Sequence, residues 1–341
     1  MKILARPLAI YLALLLAALL LAVGVGSVFI SPRNVLSILW NALRAQPAID
    51  RQSDIQTVIL VTLRLPRALL MMLTGAALAG SGAAYQGLFR NPLADPYLIG
   101  AASGAGLGAV AAMAMRWPAT HLGYLAVPLA SFCGSLLAIT LVFQLARVGG
   151  TLPVTNLILA GVAVSSFATA LSSFLMVNAA GELRRAFVWM LGGGTLAGWK
   201  PLLGMLPYTL LGLAGLLALS YQLNILQLGD EQARQLGVRV ARARTLTILA
   251  ATLVTAAAVA FSGIIAFVGL IIPHITRSLW GGDMRRLLPF SMLGGAAFLI
   301  LADILARVLM APQELPVGII TALCGAPFFL IVIRQSRQQT W

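Results

Sequence analysis

The chain has 341 residues, 60% of them hydrophobic and only 9% charged, and its 23 Lys+Arg against 9 Asp+Glu give a formal net charge of +14. A soluble domain carries about 25% charged residues, so no water-exposed shell can be assembled from this composition and the chain reads as an integral membrane protein. Disorder is excluded by the hydrophobicity, and nucleic-acid binding by the spread of basic residues along the chain instead of in one patch.

A helix needs about 20 apolar residues to cross a hydrocarbon core about 30 Å thick. Stretches free of Asp, Glu, Lys and Arg run 7–32, 68–89, 96–115, 117–146, 148–181, 201–229, 245–276, 287–302 and 315–333. The first follows Lys2 and Arg6, but it is too long for a signal-peptide core and lacks a small-residue cleavage site, so it is read as a retained first helix. Residues 31–61 are read as an outer loop. In the seventh window, Ser262-Gly263 breaks the pattern and the apolar run continues past Arg277 to Trp280. Splitting it into helices at about 245–262 and 264–281 brings the total to roughly ten spans in one transmembrane domain, 1–341. An even number places both termini on one side. Taking that side as the cytoplasm puts 13 of the 23 basic residues inside, a bias of the right sign for the positive-inside rule but a shallow one.

Small residues four apart, as in Gly100, Gly104 and Gly108 or Gly75, Ala79 and Ala83, suit close helix packing in lipid. Segments 77–92 and 258–273 both place Ser-Gly ten residues before a proline; as a true repeat they would be inverted, a symmetry used in alternating access. Cys133 and Cys324 lie in apolar stretches as small hydrophobes. His121 and His274 stand apart in sequence and do not suggest a metal site.

The chain's only lysines are Lys2 and Lys200, and neither follows a glycine, so it has no P-loop for ATP. Glycines 104–108 and 192–194 lack the strand-to-helix setting of a dinucleotide site. Neither a Ser-His-Asp set nor a paired carboxylate stands out, which argues against an enzyme. Ion-coupled transport usually places acids within spans. Here Asp303 is the sole candidate, and Arg307, one helical turn on, explains it as an ion pair. A secondary transporter or channel working without an ATPase is therefore the weaker alternative. The polar stretch 223–244, LNILQLGDEQARQLGVRVARAR, suits a short amphipathic helix at the cytoplasmic face that lies on lipid or docks to a partner.

Several segments together resemble a known family, the FecCD-type (type II) ABC importer permeases for iron-siderophores, haem and cobalamin. They are 63–106 (LRLPRALLMMLTGAALAGSGAAYQGLFRNPLADPYLIGAASGAG), 157–166, 229–238 (GDEQARQLGV), 261–277 (FSGIIAFVGLIIPHITR), 287–307 and 314–334, in the family's order and over nearly the whole chain. The resemblance implies an all-α polytopic bundle of about ten helices and a homodimer with the path on its two-fold axis. It also implies two cytoplasmic ATP-binding cassette subunits that carry the ATP and Mg, and an outer substrate-binding protein. On that reading the chain is a transport subunit of the bacterial inner membrane with no cofactor of its own, passing an iron complex, haem or cobalamin.

The resemblance also carries roles to particular positions. Asp230, Glu231, Arg234, Gly237 and Val238 match the segment that couples to the ATPase. Arg64, Arg67 and Arg307 match arginines that dock glutamates of the binding protein, a task suited to a bidentate and permanently charged fork. Asn91 and Leu93, with Val154 and Thr155, match the cytoplasmic gate, although Val154 stands where a relative carries a hydroxyl residue. The outer basic residues that flatten the positive-inside bias then become a docking surface for an acidic partner.

Overall fold

A computed structural model describes residues 2–26, 30–43, 55–115, 125–148, 152–178, 181–193 and 198–338. They form an all-α bundle. In chain order the helices are α1 (Lys2–Gly24), α2 (Pro32–Leu43), α3 (Leu65–Phe89), α4 (Ala101–Ala114), α5 (Ala126–Ala146), α6 (Val154–Asn178) and α7 (Leu183–Met190). There follow α8 (Trp199–Ala218), α9 (Ser220–Leu226), α10 (Asp230–Gln235), α11 (Val240–Ser262), α12 (Val268–Trp280), α13 (Met284–Val308) and α14 (Val317–Gln338). Seven helices among the described residues are long and apolar enough to span a membrane. The apolar α4 and the apolar stretch Val317–Val332 of α14 are shorter, and with the 13-residue α12 the count is about ten.

Some boundaries moved. Residues 55–61, expected in the outer loop, are helical and run through a π-helical segment, Val58–Arg64, straight into α3. A search for charge-free windows misses this because Arg64 and Arg67 sit inside the helix. The supposed outer loop also contains α2, which buries Val35 and Ile38 while Leu36 and Trp40 stay exposed. The polar stretch 223–244 is the end of α9, the whole of α10 and the start of α11.

The helix break in the seventh window is real, but α12 starts at Val268, four residues later than expected. Gly263 ends α11 at φ +77°, and a Cβ there would overlap the carbonyl of Trp189 at the end of α7, so only glycine fits. Residues 264–266 then lie between the hydrogen-bond ladders of α11 and α12. Tyr97 holds them: its hydroxyl donates to Ile265 O at 2.9 Å and accepts from Ile265 N. Ser81-Gly82, by contrast, lies in the middle of α3, so the two Ser-Gly segments do not share a local structure.

Helices α3, α11 and α13 form the buried centre. At the crossing of α3 and α13, a Cβ on either Gly75 or Gly295 would overlap the other's carbonyl oxygen. The glycines therefore let the two backbones touch. In lipid this matters because tail contacts are as apolar as helix contacts, and association rests on close packing and on interhelical hydrogen bonds of about 0.6 kcal/mol each. Polar links join α3 to α11 and α12: Thr74 to Ser262 at 2.6 Å, Tyr85 to Thr252 at 3.2 Å, and Gln86 Nε2 donating to Gly269 O and Leu270 O at 3.3 Å. Gly104 and Gly108 serve the crossing of α4 on α5 in the same way. Gly100 does not pack but turns the chain at φ +85° between a 3-10 turn, Pro96–Ile99, and α4. Helices α1, α5, α6 and α8 leave apolar side chains such as Leu16, Leu137, Phe167 and Leu211 exposed, as a lipid- or partner-facing layer requires. Cys133 and Cys324 lie on that exposed layer as free thiols.

Candidate functional sites at the two ends of the bundle

From Arg67 to Phe89 helix α3 rises about 33 Å at 1.5 Å per residue, enough to cross the hydrocarbon core. Its two ends carry the two sets of candidate residues.

At the Arg67 end, Arg64, Arg67 and Arg307 come together as expected, but they are not simply displayed to solvent. Arg64 and Arg307 are each only 7% exposed. Arg64 Nη1 donates to Val23 O at 3.0 Å and Gly24 O at 3.1 Å, while Arg307 Nη2 donates to Ala22 O at 3.1 Å and Nη1 to Val25 O at 3.3 Å. The last carbonyls of a helix have no partner within it and carry the negative end of its dipole. Helix α1 ends in Ala-Val-Gly-Val without a basic residue in its last turn, and these two arginines satisfy its carbonyls from α3 and α13. All three arginines lie at one end of the bundle, and two of them are buried by bonds within it.

Asp303 organises the rest. It is 1% exposed and uses both oxygens: Oδ1 accepts from Arg67 Nη2 at 2.9 Å and from Nε at 3.0 Å, and Oδ2 pairs with Arg307 Nε at 3.1 Å. The expected Asp303–Arg307 pair is present, with Arg67 as an additional partner that sequence distance hid. Arg67 Nη1 is left pointing outward, where it meets Glu314 Oε2 at 2.6 Å. Glu314 lies in the connection between α13 and α14, which is fixed by Leu315 N donating to Ala306 O at 3.0 Å.

At the opposite end, α10 stands out from the bundle as a six-residue helix. Gly229 precedes it at φ +115° and Gly237 follows at φ +80° in open space. Gly237 N donates to Arg234 O and Val238 N to Ala233 O, both at 2.9 Å. This paired pattern is a Schellman stop, and it explains glycine followed by an apolar residue at 237–238. Asp230 anchors the helix through a fork from Arg244 Nη2 to both carboxylate oxygens at 3.0 Å. Glu231 and Arg234 pair loosely at 3.4 Å with 76% and 64% of their side chains exposed, and Leu228 and Leu236 are exposed beside them. Sequence reading missed Arg244, Leu228 and Leu236 as members of this group. The arginine's spacing of fourteen residues from Asp230 crosses a helix boundary, so no helical periodicity signals it.

The other candidates belong to the same end. Arg90 Nη1 lies beside Gly229, and Arg147 and Leu152 share with Asp230, Arg234 and Arg244 a cavity of about 390 Å³. Asn91 follows the left-handed Arg90 (φ +53°) that ends α3, and its side chain accepts from Leu93 N at 2.9 Å, a turn that stops the helix. Val154 is half-buried against the core and Thr155 exposed at the first turn of α6. Asp95 caps the 3-10 turn by accepting from Tyr97 N at 2.7 Å. Burial raises its carboxyl to about 6, against the opposing pull of that hydrogen bond. Asp283, the cap of α13, is instead held below the usual range, first by the Asn224 amide at 2.6 Å. His121 lies outside the described residues, as does Gly194 of the 192–194 cluster. His274 packs edge-on against Phe328.

A bundle with a fixed cationic cluster at one end of a membrane-length helix and a protruding, glycine-bracketed short helix at the other is the layout that the sequence resemblance implied. The family model of the FecCD transport family matches residues 14–335. The chain belongs to that family. It is 41% identical to the hemin transport system permease protein of Yersinia pestis, across 96% of this chain and 95% of that one. It is 46% identical to the cobalamin import system permease protein of Halobacterium salinarum, across 86% and 79%. Among solved structures, a metal-chelate type ABC transporter in an inward-facing conformation superposes with a TM-score of 0.82 at 32% identity, covering 97% of this chain and 99% of that one. This FecCD-family chain is therefore a multi-pass membrane permease of the ABC importer type.

Proposed function

We propose that this FecCD-family permease passes a bulky metal chelate, an iron complex, haem or cobalamin, into the cytoplasm by alternating access as a homodimer served by two ATP-binding cassette subunits. The α10 end then faces the cytoplasm together with both termini, and the Arg67 end faces outward to a substrate-binding protein. The observation that carries this reading is α10 itself: a short helix closed rigidly at both ends, anchored by Asp230–Arg244, with Glu231, Arg234 and two leucines turned away from the bundle. A lone solvated helix has no reason to expose leucines, whereas a helix seated in a groove of a partner does. Rigid closure lets a push on the helix move the bundle as a body.

Asn91, Leu93, Val154 and Thr155 are proposed as the inner gate because they sit at the α10 end, where a path must close. Docking at the outer end is proposed to centre on Arg67, with Arg64 and Arg307 fixing the frame around it. The iron complex is the preferred cargo, because iron chelates recur among the named relatives, as in the Fe(3+) dicitrate permease of Escherichia coli and the Fe(3+)-citrate permeases of Bacillus subtilis. The decisive experiment reconstitutes the permease with its ATPase and compares binding proteins loaded with ferric siderophore, haem and cobalamin. Stimulated ATP hydrolysis with one cargo names the substrate. Retention of the ATPase on Glu231→Arg and Gly237→Trp variants, with undiminished uptake, would refute the coupling role.

A further inference from the structure

The Arg67 cluster contains one carboxylate more than its frame needs. Asp303 is enclosed, orients Arg67 through Nε and Nη2, and ties it to Arg307. Glu314 does none of this. Its side chain is 53% exposed, it touches the guanidinium only at the outward Nη1, and it hangs from a connection whose backbone is held without it by Leu315 and Gln313 amides. An exposed ion pair of this kind contributes little to folding, so stability does not account for an acid placed on the one outward edge of the cluster.

We propose that Glu314 is a built-in stand-in for the partner's carboxylate: it occupies Arg67 while the permease is undocked and swings into water when an acidic side chain of the binding protein takes its place. This rests on the docking reading above. The geometry supports exchange in place of addition, because Asp303 takes one N–H each of Nε and Nη2, and a carboxylate that grips the remaining Nη1–Nη2 edge with both oxygens meets Glu314 at Nη1. Exchange conserves charge at the cluster. The cluster keeps its second acid against the charges of Arg64, Arg67 and Arg307 throughout, and a weakly acidic surface that lacks the matching geometry cannot displace a tethered neighbour. Glu314 thereby lowers affinity and raises selectivity, as a competing contact must.

The test measures binding of the importer's own substrate-binding protein to the permease–ATPase complex in nanodiscs, at low and at moderate salt. Glu314→Gln should tighten binding about one-and-a-half- to fivefold, the factor expected from removing one exposed competing pair. Glu314→Asp keeps the charge but is one methylene too short to hold the same contact, and it too should tighten binding. Arg67→Gln should weaken binding in every background and abolish the effect of Glu314→Gln. If Arg67→Gln weakens docking while Glu314→Gln and Glu314→Asp leave it unchanged or weaken it, Glu314 is not a stand-in and the docking reading stands. Tightening by Glu314→Gln but not by Glu314→Asp assigns the effect to charge removal alone and overturns exchange. If Arg67→Gln has no effect at low salt, the docking reading itself fails.

Discussion

The two carboxylates on Arg67 offer a sharp comparison, because the same chemical change at each should have very different consequences for stability. Asp303→Asn replaces an acceptor that serves two arginines with an amide that has one acceptor and one donor. The amide oxygen can keep Arg67, but the amide nitrogen then faces Arg307 Nε, donor against donor, at a side chain 2% exposed. Removing one partner of a buried ion pair costs about 3–5 kcal/mol, since the remaining charge stays buried without compensation. Glu314→Gln, at a side chain 53% exposed, should cost no more than about 1 kcal/mol. In thermal scans of detergent-purified protein, at about 2.1 cal/mol/K of unfolding entropy per residue, this corresponds to a fall in melting temperature of about 4–7 °C for Asp303→Asn against no more than about 1–2 °C for Glu314→Gln. Arg307 also caps α1, so limited proteolysis of Asp303→Asn should cleave first near the end of α1. Equal melting temperatures for the two variants, or a larger loss at Glu314, would refute the assignment of Asp303 as the buried keystone.

Other outcomes follow from single contacts. Gly82→Val places a side chain against the carbonyl of Gly269 and should lower stability by about 1–3 kcal/mol by forcing α3 from α12, read as lost thermal stability and yield. Gly237→Val meets no neighbour, and its cost of about 1–2 kcal/mol comes from the left-handed φ of +80°; it should therefore loosen α10 and lower ATPase copurification while the bundle melts as wild type. Arg244→Gln releases Asp230 and should reduce uptake several-fold with melting unchanged. Asp95 has its carboxyl raised from 3.8 to about 6, so its contribution to stability is present below about 4 and is lost as pH rises through about 6. The melting temperature should fall over that window in wild type and fall less in Asp95→Asn, which keeps the cap; equal pH profiles would contradict the burial of this group.

How much of this was legible without coordinates differs element by element. The break at Ser262-Gly263 was visible because the apolar run exceeds one span and glycine interrupts it, yet the start of α12 was misplaced, because residues 263–267 are held by a hydrogen bond from Tyr97, 168 positions away. The helical start at 55 was hidden by Arg64 and Arg67, which a rule for lipid-facing residues rejects and a cluster of matching partners accepts. Asp303–Arg307 was legible from a four-residue spacing, whereas Arg67 and Glu314, equally close in space, were not.

By itself the sequence determined that the chain lives in a membrane, that it crosses about ten times, that it cannot bind ATP through a P-loop, and that its motifs follow one permease family. These follow from composition, from spacings of a few residues and from ordered motifs, all of which are local. Only the tertiary structure decided the fate of the charges. Arg64 and Arg307, matched by resemblance to docking positions, also close the end of α1, since a helix that ends in apolar residues inside a bundle must find donors for its last carbonyls wherever the fold supplies them. Burial and hydrogen-bond saturation are properties of the assembled bundle, and through them Arg67, with the exposed glutamate on its Nη1, is the least buried arginine of the three.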